Sequence, residues 1–258
     1  MLAGLLGAGL AAAYDWRAGL IALAAMPLVS AGLLAVAPER SRGGASGVRF
    51  RLAPLIDPVN LIRPLQALRR MPQLVPLAVA SLGFAMAQGC TLAFFTTYMT
   101  DGLGLSLALA GAIYSVPAVA SFAGRVVAGF VADWLGSTRK VLVAMAVASA
   151  AALVLLAGFD GGWPRWLMFA AAGVIGLFVA TWNGLFLAEL AKVAPEGKVG
   201  EATASATFFT FVAYMVAPPL FATLVWVTGY SVAYLCVALA VLSARPVLLA
   251  GSRPAEHG

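Results

Sequence analysis

The chain has 258 residues, 62% of them hydrophobic and only 10% charged, with a mean hydropathy of +0.97; soluble domains carry about 25% charged residues, so an integral membrane protein is expected. The formal net charge of +6 does not point to nucleic acid, because the basic residues cluster between apolar runs instead of forming a basic, aromatic-studded surface. Cys90 and Cys236 lie in apolar runs and read as small core residues, the one histidine is His257 in the tail, and there is no Cys/His metal spacing or Walker loop, so no metal, no cofactor and no enzymatic activity are expected.

Residues 2–13 are apolar, but at 1.5 Å per residue they reach only about 20 Å of a hydrocarbon core of about 30 Å. They read either as a signal peptide or, preferably, as the outer end of a membrane helix. No Lys or Arg precedes them, and Tyr14-Asp15-Trp16-Arg17 reads as an interfacial turn into a full span at 18–37. A polar stretch follows at 38–72, with seven arginines, flexible glycines and then Pro54, Pro58 and Pro64, which are expected to break up any long helix. Six more spans are expected at about 73–99, 105–132, 140–159, 165–190, 201–226 and 230–248. The fold class is therefore an all-α polytopic bundle of about seven full transmembrane helices plus an N-terminal partial helix. Its segments are 1–37, a cytoplasmic linker at 38–72, a six-helix bundle at 73–250 and a tail at 251–258.

Charge orients the spans. With the linker inside, the same side receives Arg139, Lys140, Lys192, Lys198, Arg245 and Arg253, and the other only Arg17 and Arg165. The positive-inside rule then places the C-terminus in the cytoplasm. The start of the chain, around Tyr14-Asp15-Trp16-Arg17, weakly resembles its end, around Thr228-Gly229-Tyr230-Ser231, as internal repeats in transporters do.

The turn Gly129-x-x-x-Asp133-x-x-Gly136-x-x-Arg139-Lys140 resembles the cytoplasmic loop motif of the major facilitator superfamily, with Trp134 in place of the usual basic residue. The resemblance implies the C-terminal half of that fold: 2–13 as the end of helix five, 18–37 as helix six, and the later spans as helices seven to twelve. It also implies secondary transport of a small solute by alternating access, in a bacterial inner membrane. The partners implied are a small-molecule substrate, a coupling proton or ion, the lipid bilayer, and the missing N-terminal half or another copy. The alternative is a non-transporting membrane remnant, or a half-transporter that needs a partner. Within the motif, Gly129 and Gly136 are expected to permit close backbone approach and a tight turn, and Asp133 to accept bonds from free helix-end N–H groups. By the family's pseudo-symmetry the turn docks against the cytoplasmic end of helix five, which this chain is expected to lack.

Arg125 lies eight residues before Asp133, roughly 12 Å into the membrane. Such an arginine faces a cavity or a partner, or it snorkels to the interface. Its position resembles the helix-eight arginine of monocarboxylate and oxalate–formate type carriers, which implies contact with a substrate carboxylate. Gln88, Asn183 and Tyr114 complete the candidate binding group, because polar residues are few in these spans. Thr91, Thr181, Trp182, Thr207, Thr210 and Tyr214 are further polar breaks in the apolar runs. Pro218 and Pro219 are expected to kink or weaken their span, as a bending point.

Overall fold

The computed structural model describes residues 16–36 and 59–250. The expected partial helix at 2–13, the first part of the linker and the tail with His257 lie outside the described residues. The chain divides into two compact units, Met1–Asp57 and Pro58–Gly258. In the first unit, α1 (Trp16–Val36) is a 21-residue helix with Pro27 inside it.

The second unit opens with α2 (Val59–Arg70), which ends on Arg69 and Arg70, a favourable charge at a helix C-terminus. The linker prolines were expected to disrupt this region, yet the helix runs through Pro64. A twelve-residue helix can give up one rung of its ladder when the proline ring packs inward, and Pro64 is buried. A short 3₁₀ turn leads into α3 (Val75–Thr97), which a π-type turn extends to Gly102. Then come α4 (Leu107–Trp134), α5 (Thr138–Ala157), α6 (Arg165–Val179), α7 (Asn183–Val193), α8 (Val199–Thr228), α9 (Tyr230–Leu242) and α10 (Ala244–Ala250).

Among the described residues six stretches are long and apolar enough to cross a membrane: Pro72–Gly102, Leu107–Trp134, Thr138–Ala157, Arg165–Val193, Val199–Thr228 and Tyr230–Ala250. They match the six later expected spans to within a few residues. The protein is a polytopic all-α membrane protein, since a helix satisfies its own backbone where no water is available. The turns are built locally. Ser106 caps α4 by accepting from Leu109 N at 3.3 Å, and Gly229 joins α8 to α9 at φ +84°. Cys90 is buried, as expected, but Cys236 is exposed, because its position on α9 falls on the outward face.

Helices pack here through small residues, since lipid provides no hydrophobic drive between apolar surfaces. A Cβ on Gly176 would lie 2.4 Å from Pro117 Cα, and one on Gly124 would lie 2.6 Å from Thr181 Oγ1 and 3.0 Å from Leu177 O. These two glycines let α4 and α6 touch backbone to backbone. Gly83 does the same for α3 against α9, where an added Cβ would meet Ala240 O at 2.6 Å.

Gly176→Ala should force α4 and α6 apart and cost about 1–3 kcal/mol, read as a lower melting temperature in detergent. Gly111→Ala, whose new methyl meets none of the described residues within 4 Å, should not lower the melting temperature, since alanine is the better helix former.

Candidate functional site

The fourth span is interrupted. α6 stops at Val179 and α7 starts at Asn183, with Ala180, Thr181 and Trp182 between them. The sequence puts three polar-capable side chains, Thr181, Trp182 and Asn183, at this point. A helix break in an apolar bundle must find partners for its freed backbone groups. Thr181 Oγ1 donates to Gly176 O at 3.4 Å, Ser149 Oγ to Phe178 O at 2.9 Å, and Arg125 Nη2 to Ala180 O at 3.3 Å. Arg125 is exposed at the chain surface, and one N–H of its five-donor fork is used in that bond.

On the other side of the break stands Gln88 of α3, buried among apolar neighbours. Its side-chain oxygen accepts from Trp182 Nε1 at 2.9 Å, Asn183 Nδ2 at 3.1 Å and Tyr214 OH at 2.7 Å. Trp182 is held by stacking on Phe84 (centroids 5.2 Å) and an edge contact with Phe186 at 5.4 Å. Tyr214 reaches in over Gly89, where a Cβ would sit 3.0 Å from the Tyr214 ring. The Tyr214 hydroxyl is also within electrostatic reach of Arg125. Two more buried hydroxyls on the same helices, Thr91 Oγ1 on α3 and Thr207 Oγ1 on α8, have no hydrogen-bond partner among the described residues.

The structure thus brings together Gln88 and Asn183, and sets Arg125 at the same helix break. Tyr114 is apart from this network: its ring packs on Phe95 at 5.8 Å. Trp182 and Tyr214 belong to the network although neither was in the candidate group. Their signal in the sequence was only that each carries a polar atom in an apolar span. Pro218 and Pro219 do not break α8, which runs on to Thr228. Their missing N–H groups do deprive the Tyr214 and Met215 carbonyls of their usual donors four residues on.

The turn from Gly129 to Lys140 departs from expectation at two residues. Gly136 has φ +62° and makes the turn. Gly129 makes no close approach among the described residues, because a Cβ there would meet nothing of them within 4 Å. Asp133 is exposed and does not cap. It ends α4, where the free groups are carbonyls and the helix dipole is negative. The cap of α5 is Ser137, which accepts from Lys140 N at 3.3 Å. Lys140 is exposed. Arg139 Nε donates to Glu189 Oε1 at 2.9 Å, the two side chains being 16% and 9% exposed. Lys192 Nζ adds a bond to Thr138 Oγ1 at 2.7 Å. The turn is therefore fastened to α7 of its own bundle. Glu189 lies near the C-terminal end of α7 and is buried there.

The Major Facilitator Superfamily profile matches residues 1–218. The chain belongs to this family. It is similar to an uncharacterized MFS-type transporter of Mycobacterium tuberculosis strain CDC 1551, with 29% identity over 171 residues, 66% of this chain and 38% of the relative. It is also similar to uncharacterized MFS-type transporters of Burkholderia mallei SAVP1 and Burkholderia pseudomallei 668, each 40% identical over 93 residues, 36% of this chain and 21% of the relative. The chain spans well under half the length of the relatives it matches. The expected family holds on these grounds.

Glu189→Ala should remove the bond to the Arg139 guanidinium and cost about 1.5–3 kcal/mol, seen as a lower melting temperature. In a double-mutant cycle with Arg139→Met, the second substitution should cost much less once the first is made. Additive losses would show that the pair contributes nothing as a pair.

Proposed function

We propose that the chain is the C-terminal part, helices six to twelve with a stub of helix five, of a secondary carrier that binds a small organic anion beside Arg125. Transport then follows from rocking of this bundle against a second one around the bound solute. The observation that carries the anion is the surplus of donors. Trp182 Nε1, Asn183 Nδ2 and Tyr214 OH all point at one Gln88 oxygen, which has two lone pairs. Arg125 adds a guanidinium at the same helix break. Donors crowded on a single acceptor, with a fixed positive charge close by, suit the oxygens of a carboxylate. The resemblance to monocarboxylate and oxalate–formate type carriers agrees with that chemistry.

The lysine and arginine distribution supports an inner-membrane orientation with the C-terminus in the cytoplasm. The acid buried among the described residues, Glu189, is already paired with Arg139, so a coupling proton is assigned to groups elsewhere in the carrier. A second reading rests on length. The M. tuberculosis match covers 38% of that relative, and one bundle lines only one wall of a pathway. The opposite wall comes from the rest of a longer carrier or from another copy, and a half that lacks it is a non-transporting remnant.

In the reconstituted carrier containing this segment, uptake of a panel of small carboxylates should fall about tenfold or more in Arg125→Ala and recover poorly in Arg125→Lys. Normal uptake in Arg125→Ala would remove Arg125 from the site. Gln88→Glu supplies an acceptor-only side chain to the three donors. It should raise the melting temperature while weakening carboxylate uptake, because it occupies the donors the substrate needs. Unchanged uptake with raised stability would make the network purely structural.

A further inference from the structure

α2 meets the bundle along one stripe. Pro64 and Ala67 on the helix, and Met71 just after it, are buried and follow the i, i+3, i+7 spacing of a single helix face. Pro64 and Ala67 border a cavity whose far wall is Glu201, Ala204, Ser205 and Phe208 of α8. Those four residues run about 10 Å along α8, starting close to its first residue, Val199. So α2 lies against the flank of a membrane span, at its end. Two residues after α2 stops at Arg70, the next span begins at Pro72. Both neighbours put α2 at the level where lipid headgroups meet the hydrocarbon.

The opposite stripe of α2 repeats the same spacing with different chemistry. Ile62 and Leu65 are 52% and 50% exposed, and exposed Arg69 follows them at i+7 and i+4. α2 contains no acid. Among the described residues Arg69 has no ion pair, and it does not line the cavity where the Glu201 carboxylate sits. The chain just before α2 adds Arg40, Arg42, Arg49 and Arg51 against Glu39 and Asp57, and a basic segment beside a span is drawn to anionic headgroups. Two branched aliphatic side chains at the edge of a bilayer reach the acyl boundary, while the long stem of an arginine carries its charge back to the headgroups. We propose that α2 is a membrane-surface helix, seated by Ile62 and Leu65 in the acyl boundary and held by Arg69 on anionic phospholipid. The partner is the anionic lipid surface at that end of the bundle, and the proposal does not rest on the substrate reading.

The test places a nitroxide spin label on Leu65→Cys of the 258-residue chain. Cys236 is exposed and is replaced by serine, while Cys90 is buried and stays. The protein is reconstituted in nanodiscs of phosphatidylcholine alone and of a phosphatidylglycerol–phosphatidylcholine mixture. Collision of the label with oxygen, which concentrates in the acyl region, is compared with collision with a neutral nickel chelate, which stays in water. In the mixture oxygen should dominate, and in phosphatidylcholine alone the chelate should gain. Arg69→Gln should lower the ratio of seated to free label in the mixture about fivefold. Arg245→Gln removes the same charge from an exposed position on α10 and should change nothing. Chelate access in both nanodiscs would leave the stripe in water. Equal oxygen access in both would remove the preference for anionic lipid, and protection from both reagents would mean that protein covers the stripe. Each of these outcomes, or an equal loss in Arg245→Gln, would overturn the proposal. Matching melting curves of the variants show that the change is read on folded protein.

Discussion

Backbone groups freed inside an apolar bundle must be answered, and the break between α6 and α7 is where this chain meets that demand. Each unsatisfied carbonyl in hydrocarbon costs several kcal/mol. Three donors from three places supply the need: Thr181 within the break, Ser149 on α5 and Arg125 on α4. The glycine contacts follow from the same requirement. Arg125 reaches Ala180 because Gly124 beside it and Gly176 on α6 let the two backbones touch. A side chain at either position would carry the guanidinium away from the carbonyl it serves.

This gives Arg125 a structural duty alongside the chemistry proposed for it. A guanidinium in lipid that had no fixed acceptor would snorkel toward the interface. Bonded to Ala180 O, it is held at the break, with four of its five donors not used in that bond. Gln88 plays the matching part from α3. Its oxygen gathers Trp182, Asn183 and Tyr214 from the two elements packed around it, so α3, α7 and α8 are joined at one atom.

The spans were legible in the sequence because lipid leaves the backbone so few choices: an apolar run of sufficient length must be a helix. Gln88, Arg125 and Asn183 were legible because polar groups are costly in such runs and so stand out. Their partners were not. Tyr214 is 126 residues from Gln88 and Trp182 is 94, and an aromatic in an apolar span looks like packing until its neighbour is known. Gly124 and Gly176 were hidden among 27 glycines, since only the facing helix says which glycine is a contact. Asp133 and Gly129 misled for the opposite reason. A motif names residue types, but whether Asp133 meets N–H groups or carbonyls depends on which helix end it occupies. Glu189 lies near the end of its span, and its partner Arg139, on the first turn of α5, is 50 residues away in sequence.

α7 ties the two halves of the site together. It has 11 residues, about 16 Å of helix. Its first residue, Asn183, is bonded to Gln88. Near its other end, Glu189 and Lys192 are bonded to Arg139 and Thr138 at the turn. A helix this short and free of proline bends little, so it moves as a rod. Any displacement of Asn183 along the rod axis must appear at the turn or break one of the two bonds there. On α8, the carbonyl of Tyr214 lacks its usual donor because of Pro218, so the third arm of the network is the one whose backbone can yield. The network is thus stiff toward the turn and compliant toward α8. A solute that draws Tyr214 or Asn183 away from Gln88 would strain these two sides unequally.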